Sequence, residues 1–315
     1  MKKQLSAFGL GATLYMPATR LDIVETISTC KIEGLRSLVI CLEDAVSEDD
    51  VPAALANLKS MMVGLKAAKQ EADDDSWPLI FIRPRDEAMA AMLVTWYDMS
   101  AADGFVLPKF THDSLDRWHE ILNKSHLCWM PTLETEEVFD VAAMQVLASA
   151  LMSHPSRDKI LALRIGGNDL MNCISLRRSR AFTLYDGPMG YVIKMLVAVF
   201  GAKGFAMTAP VCEHIEDHHL LEQELALDIA HGLVGKTAIH PNQIGIIQKA
   251  FMVSSLDQQD ALRIINSTQA VFKASGAMCE PATHRRWANS ILERVHYFGI
   301  APNVNQPAGK LLNKR

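Results

Sequence analysis

The chain has little of what several common chemistries need. Its six cysteines, Cys30, Cys41, Cys128, Cys173, Cys212 and Cys279, are scattered without CxxC spacing, so they offer neither a zinc ribbon nor a redox pair. Several sit inside apolar runs and read as reduced, buried thiols of a cytoplasmic protein. Among the glycines there is no GxGxxG, and neither GxSxG nor HExxH occurs, so no dinucleotide fingerprint, nucleophile elbow or zincin motif can be assigned. Basic charge is in deficit, with 31 Lys and Arg against 36 Asp and Glu for a net −5. With no basic stripe interleaved with aromatics, nucleic acid is excluded as an expected partner. No apolar run reaches about 18 residues, so no membrane span is expected. Lys2-Lys3 and the apolar stretch to Met16 imitate a signal peptide, but Gly9, Gly11 and Thr13 dilute it, and it reads as the lead-in to a first strand.

What the chain does have is a large apolar fraction, 49% of 315 residues, in short repeated runs. Strands are expected at 12–16, 37–42, 79–82, 104–107, 128–133, 160–165, 204–208 and 237–239. Helices are expected at 21–30, 51–69, 89–99, 136–152, 191–200, 213–231, 241–252, 258–274 and 281–295. Ser37–Leu42 is continuously apolar, as in a strand covered on both faces. Eight such strands alternating with helices define an α/β chain of the (β/α)8 TIM-barrel class with additional C-terminal helices. The expected division is 1–252 for the barrel and 253–315 for a helical extension, with an acidic loop at 71–76 and a poorly ordered tail from 301.

The polar residues repeat one placement. Arg20, Glu43, Asp44, Arg83, Lys109, Glu134, Asp169 and His240 each fall just after an expected strand. Parallel strands deliver such residues to one edge, where barrel enzymes carry their chemistry. Glu134 and Asp169 end neighbouring strands and supply two hard oxygen donors suited to Mg²⁺. Taken alone, the pair fits equally well a helix cap and a residue after a turn. Glu43 and Asp44 would orient metal-bound waters, Arg83 offers a fork for a carboxylate or carbonyl oxygen, and Arg20 is a second candidate for an anionic group. The run His214 to His219 places His214 and His218 at i and i+4, a zinc-like spacing that a solvated helix face explains better. Arg177, Arg178 and Arg180 are the cluster that could meet a CoA phosphate, solvated loop charge being the plainer reading.

LYMPATR, LVICLEDAV, FIRPRD, GFVLPKF, PTLETEEVFD, RIGGNDL and GKTAIHPNQI follow one another between Gly11 and Phe251. Their order resembles that of the citrate lyase β-subunit and HpcH-type aldolase family, in a divergent bacterial branch of the kind encoded beside tellurium-resistance-type genes. The resemblance implies a barrel with packed C-terminal helices, a homo-oligomer of trimer size or larger, and Mg²⁺-dependent cleavage next to a carbonyl. It implies Glu134 and Asp169 as metal ligands, Arg83 as the substrate arginine, and Glu43 and Asp44 around the metal; Lys109 and Arg20, from their place after the strands, are further candidate substrate contacts. The sequence departs from the family pattern at Asn168, where a Glu often stands, and at Arg85, where Asn is usual. A third departure is the shortened Met278-Cys279-Glu280-Pro281, where Glu280 could replace an acid/base Asp. The expected function is a carbon–carbon lyase acting on a hydroxyacyl thioester, on CoA or an acyl carrier, or on a related keto or hydroxy acid. The alternatives are a pyruvate-type aldolase on a free hydroxy-keto acid, or a barrel that has lost turnover and serves in binding or assembly.

Overall fold

The computed structural model describes residues 5–72, 77–274 and 276–302. Part of the expected acidic loop and most of the expected tail, 73–76 and 303–315, lie outside the described residues. The chain divides between Ile247 and Gln248 into two compact units.

The first unit is a parallel sheet of eight strands: β1 (Gly11–Pro17), β2 (Ser37–Cys41), β3 (Leu79–Arg83), β4 (Gly104–Leu107), β5 (Cys128–Leu133), β6 (Leu163–Ile165), β7 (Met207–Thr208) and β8 (Gly235–Ala238). Its order, β7-β6-β5-β4-β3-β2-β1-β8, is that of consecutive crossovers between neighbouring parallel strands. A parallel bridge between Ala209 and Lys236 joins the two ends, as does the bond from Val234 N–H to Met207 O at 2.9 Å. The sheet is thereby a (β/α)8 barrel. β2 and β4 are buried along their whole length, which is why their sequences lack polar alternation. Val39, Phe81, Val106, Met130 and Ala162 fill the lower interior in one apolar cluster.

The helices of this unit are α1 (Ile23–Ser28), α2 (Val51–Glu71), α3 (Glu87–Trp96), α4 (Leu115–Leu122), α5 (Val141–Ser153), α6 (Gly167–Cys173), α7 (Pro188–Leu196), α8 (His218–Ala230) and α9 (Asn242–Ala250), the last running across the division. Two were not expected. α4 buries Leu115, Trp118 and Leu122, which lie at i, i+3 and i+7. α6 begins at the Gly-Gly bend. The helix expected from 136 instead starts as a 3-10 turn, Glu136–Phe139, and becomes α-helical only after Asp140 caps it through Ala142 N–H at 2.8 Å.

In the second unit, α10 (Ser255–Asn266) and α11 (Pro281–Phe298) flank an antiparallel hairpin of β9 (Phe272–Ala274) and β10 (Ala277–Cys279). The helix expected to run to Ala274 stops at Asn266, and the all-helical expectation for this region fails. Phe272 and Ala274 point inward and Lys273 outward, a period of two that a helical reading misses.

Candidate active site

Six of the residues singled out converge at the C-terminal edge of the strands. Arg83, the last residue of β3, is buried among acids. Its Nη2 donates to Glu134 Oε1 at 2.9 Å and lies 3.5 Å from Asp44 Oδ2. The same atom stands 2.5 Å from Glu43 Oε2, an ion pair without hydrogen-bond alignment. Burial works against the guanidinium's charge, but Glu134, Tyr15 and Glu43 outweigh it and raise its pKa.

Lys109 closes the other side. Its φ of +46° is unusual for a side-chain-bearing residue, and the turn aims its N–H at Glu134 Oε1, 2.8 Å away. Its Nζ donates to Asp169 Oδ1 at 3.0 Å and stands 3.6 Å from Glu43 Oε1. Asp169 lies in the first turn of α6, where the helix dipole favours a carboxylate. Gly166 caps that helix. A Cβ there would come within 2.4 Å of Glu134 Cβ and Oε2, so only glycine leaves Glu134 in place. Gly166→Ala should therefore displace Glu134 and cost about 1–3 kcal/mol, measurable as a lowered midpoint in denaturant.

Glu43 reports the balance of charge. Burial pushes its carboxyl up to about 7; Arg83 pulls the other way, while Asp44 and Glu134 add to the rise. With Glu43 ionised, four carboxylates, Glu43, Asp44, Glu134 and Asp169, face two cations, Arg83 and Lys109. Two negative charges are left over on hard oxygen atoms, which suits a divalent cation. Among the described residues no group of three His, Cys, Asp or Glu side chains converges as a ligand set. Two carboxylates with waters completing the shell is the arrangement Mg²⁺ commonly takes.

Other candidates stand apart. Arg20 is taken up by Asp22, with Nε and Nη2 donating at 2.9 and 2.7 Å. Glu280 is the N-cap residue of α11 in the second unit, and its side chain makes no capping hydrogen bond. His240 Nδ1 accepts from Asn242 N–H at 3.2 Å. The zinc-like histidine spacing dissolves, because α8 starts at His218 and His214 Nε2 instead lies 2.8 Å from Ser179 O. Arg178 is not solvated loop charge. It is buried, pairs with Glu224 and donates to Val211 O at 2.8 Å. Glu224 and Asp228 of α8 also hold the buried Lys236, Asp228 Oδ2 at 2.8 Å, and Asp228 Oδ1 takes the Tyr185 hydroxyl at 2.7 Å.

The departures from the resembled pattern have partners as well. Asn168 Nδ2 donates to Glu213 Oε1 at 3.2 Å. Arg85 Nη1 donates to Val46 O at 2.9 Å, bracing the turn that carries Glu43 and Asp44. Sequence reasoning assigned no role to Arg164, Tyr15 or Thr132, all on the inner face of the strands. An arginine inside an apolar run was the available sign of the first.

No curated protein matches the chain. CitE from Mycobacterium tuberculosis, in complex with magnesium, acetoacetate and coenzyme A, superposes with a TM-score of 0.63 at 20% identity over 91% of this chain and 98% of that one. RipC from Yersinia pestis gives 0.59 at 19%, covering 79% and 98%. The citrate lyase β-subunit from M. tuberculosis, complexed with oxaloacetate and magnesium, gives 0.55 at 21%, covering 76% and 96%. At such identities the likeness is one of fold. The model of the C–C bond lyases of the TIM-barrel fold, however, matches residues 4–300, and the chain belongs to that family.

Proposed function

We propose that the protein is a Mg²⁺-dependent carbon–carbon lyase that cleaves a hydroxyacyl thioester or a related 2-keto or hydroxy acid by way of an enolate. The surplus of two negative charges among Glu43, Asp44, Glu134 and Asp169 carries this reading, since it asks for a divalent cation where substrate would enter. The magnesium and small keto acids in the M. tuberculosis structures support it. Glu134 and Asp169 would hold the ion, which when bound supplies Lewis-acid stabilisation of a developing oxyanion.

The chain's own residues do the remainder. Arg83 presents a rigid guanidinium, its Nε without a protein partner, to a substrate carboxylate or carbonyl oxygen. Lys109 steadies Asp169 and offers further positive charge to the substrate. Glu43 and Asp44 orient water at the rim. Glu280, at the N-cap of α11, is the proposed acid/base, reaching the rim of an adjacent copy in a cytoplasmic homo-oligomer of trimer size or larger. Glu280→Gln should lower turnover without changing Mg²⁺ affinity, and unchanged turnover would remove it from the mechanism.

The burial of Arg178 favours a free acid over a CoA thioester, because the loop cluster loses one of its three arginines to the fold. Deuterium exchange separates the two. With Mg²⁺ in D₂O, the protein should exchange the methyl protons of pyruvate if it takes free keto acids, or those of acetyl-CoA if it takes thioesters. Asp169→Asn should abolish either. Exchange that is absent for both, or indifferent to Asp169, overturns the lyase reading.

A pH dependence follows from Glu43. Its carboxyl titrates near 7 in the folded chain against an ordinary 4.5, so the folded state holds a proton that the unfolded state has released across that window. The metal-free protein should therefore lose stability as pH rises from about 4.5 to 7 and level off above. Mg²⁺ competes with that proton, so its affinity should rise over the same window. Melting temperatures between pH 5 and 8, with EDTA and with Mg²⁺, are the check.

A further inference from the structure

One row below the rim lies a guanidinium that the chemistry above does not use. Arg164 projects from β6 with 2% of its surface exposed. Its Nη2 donates to Thr237 Oγ1 at 2.5 Å, Nη1 is 4.0 Å from Met130 Sδ, and its Cζ stands 5.3 Å from the centre of the Tyr15 ring. Among the described residues no carboxylate pairs with it. A guanidinium cannot shed its proton to escape burial, so it stays charged in a place where an unpaired charge is costly.

Its neighbours at the same height are also unsatisfied. Arg164 is in register with Thr132 of β5 and Thr208 of β7, and adjacent parallel strands turn such residues to the same face. The hydroxyls of both threonines are buried and have no hydrogen-bond partner in the protein. Two residues along the same strands, on the same face and nearer the rim, come Glu134 and Gly166. Gly166 puts no side chain between the two levels. Tyr15 and Thr237, which touch Arg164, are both partly exposed. One fixed cation and two hydroxyl donors therefore lie beneath the proposed metal carboxylates, within the mouth of the barrel.

We propose that Arg164 is a specificity-determining residue that receives a second carboxylate of the substrate, helped by the hydroxyls of Thr132 and Thr208. The substrate is then a keto or hydroxy diacid, one end held at Glu134, Asp169 and Arg83 and the other at Arg164. This rests on the lyase reading of the rim. A charge-assisted bidentate contact of that kind discriminates between ligands of equal length that differ only in the distal group.

The test is calorimetric binding, in Mg²⁺, of two matched pairs: oxaloacetate with 2-oxobutanoate, and 2-oxoglutarate with 2-oxopentanoate. In at least one pair the wild type should bind the diacid about tenfold or more tighter than the monoacid. Arg164→Gln should bring that ratio close to one, and Arg164→Lys, which keeps a cation, should preserve part of it. The ratio is the readout because a general loosening of the barrel weakens both members of a pair alike. Should Arg164→Gln fail to fold, the ratio in Arg164→Lys must lie below that of the wild type. A ratio near one in the wild type, or one unmoved by the substitutions, overturns the inference while Mg²⁺-dependent binding of the monoacids leaves the lyase reading standing. If no keto acid binds with Mg²⁺, the inference falls, and the lyase reading falls with it only where acetyl-CoA exchange is absent as well.

Discussion

Arg83→Met should slow Mg²⁺-dependent proton exchange at the preferred substrate carbon by roughly 10²–10³-fold, the range found when one charged group at a developing oxyanion is removed. The same substitution should be costly to the fold. Arg83 is the cation between Glu43 and Glu134, both almost wholly buried. Removing one partner of such a cluster leaves its charges uncompensated, at a cost of about 3–5 kcal/mol. Acid should soften that loss, because a neutral Glu43 no longer needs the guanidinium. The comparison is denaturant unfolding of wild type and variant at pH 5 and pH 8, beside exchange rates at pH 8. A stability loss that is equal at both pH values would mean that Arg83 acts by packing and not by charge.

A comparable effect on stability should come from a residue outside the proposed site. Lys236→Met keeps length and apolar stem but leaves Asp228 with only the Tyr185 hydroxyl, and Glu224 with Arg178 and the Leu184 N–H. The expected loss is about 3–5 kcal/mol, lowering the melting temperature by roughly 10 °C. Adding Asp228→Asn to Lys236→Met should recover part of it, because the two groups are coupled and their effects do not add. If the double variant is less stable than the single one by the full cost of Asp228→Asn alone, the two side chains act independently and the network is only a set of separate contacts.

How much of this was legible beforehand depends on where each side chain finds its partner. The strands were readable because a strand covered on both faces is a continuous apolar run, as in Ser37–Cys41. The rim was readable because a barrel delivers whatever follows each strand to one edge, which brought Glu43, Arg83, Lys109 and Glu134 together without any knowledge of contacts. The inner rows were not. In a strand buried on both sides, alternation does not reveal which face looks inward, so Arg164 and Lys236 look alike in sequence. One faces Tyr15 and Thr237 within the barrel, the other faces α8 outside it. Arg178 was misread for a related reason, since its partner Glu224 lies 46 residues onward. α6 was hidden by its two leading glycines and its seven-residue length.

The charges around Lys236 also constrain how this barrel can be recombined. Arg178, Glu224, Asp228 and Lys236 come from a loop, a helix and a strand that are separated in the chain but meet in one dry cluster of balanced charge. A chimera with a crossover between residues 178 and 224 would inherit Arg178 from one parent and Glu224, Asp228 and Lys236 from the other. Unless both parents place the same charges there, the product begins with an ion that has no counter-ion. The stretch from 178 to 236 is therefore a single inheritable block, to be exchanged whole.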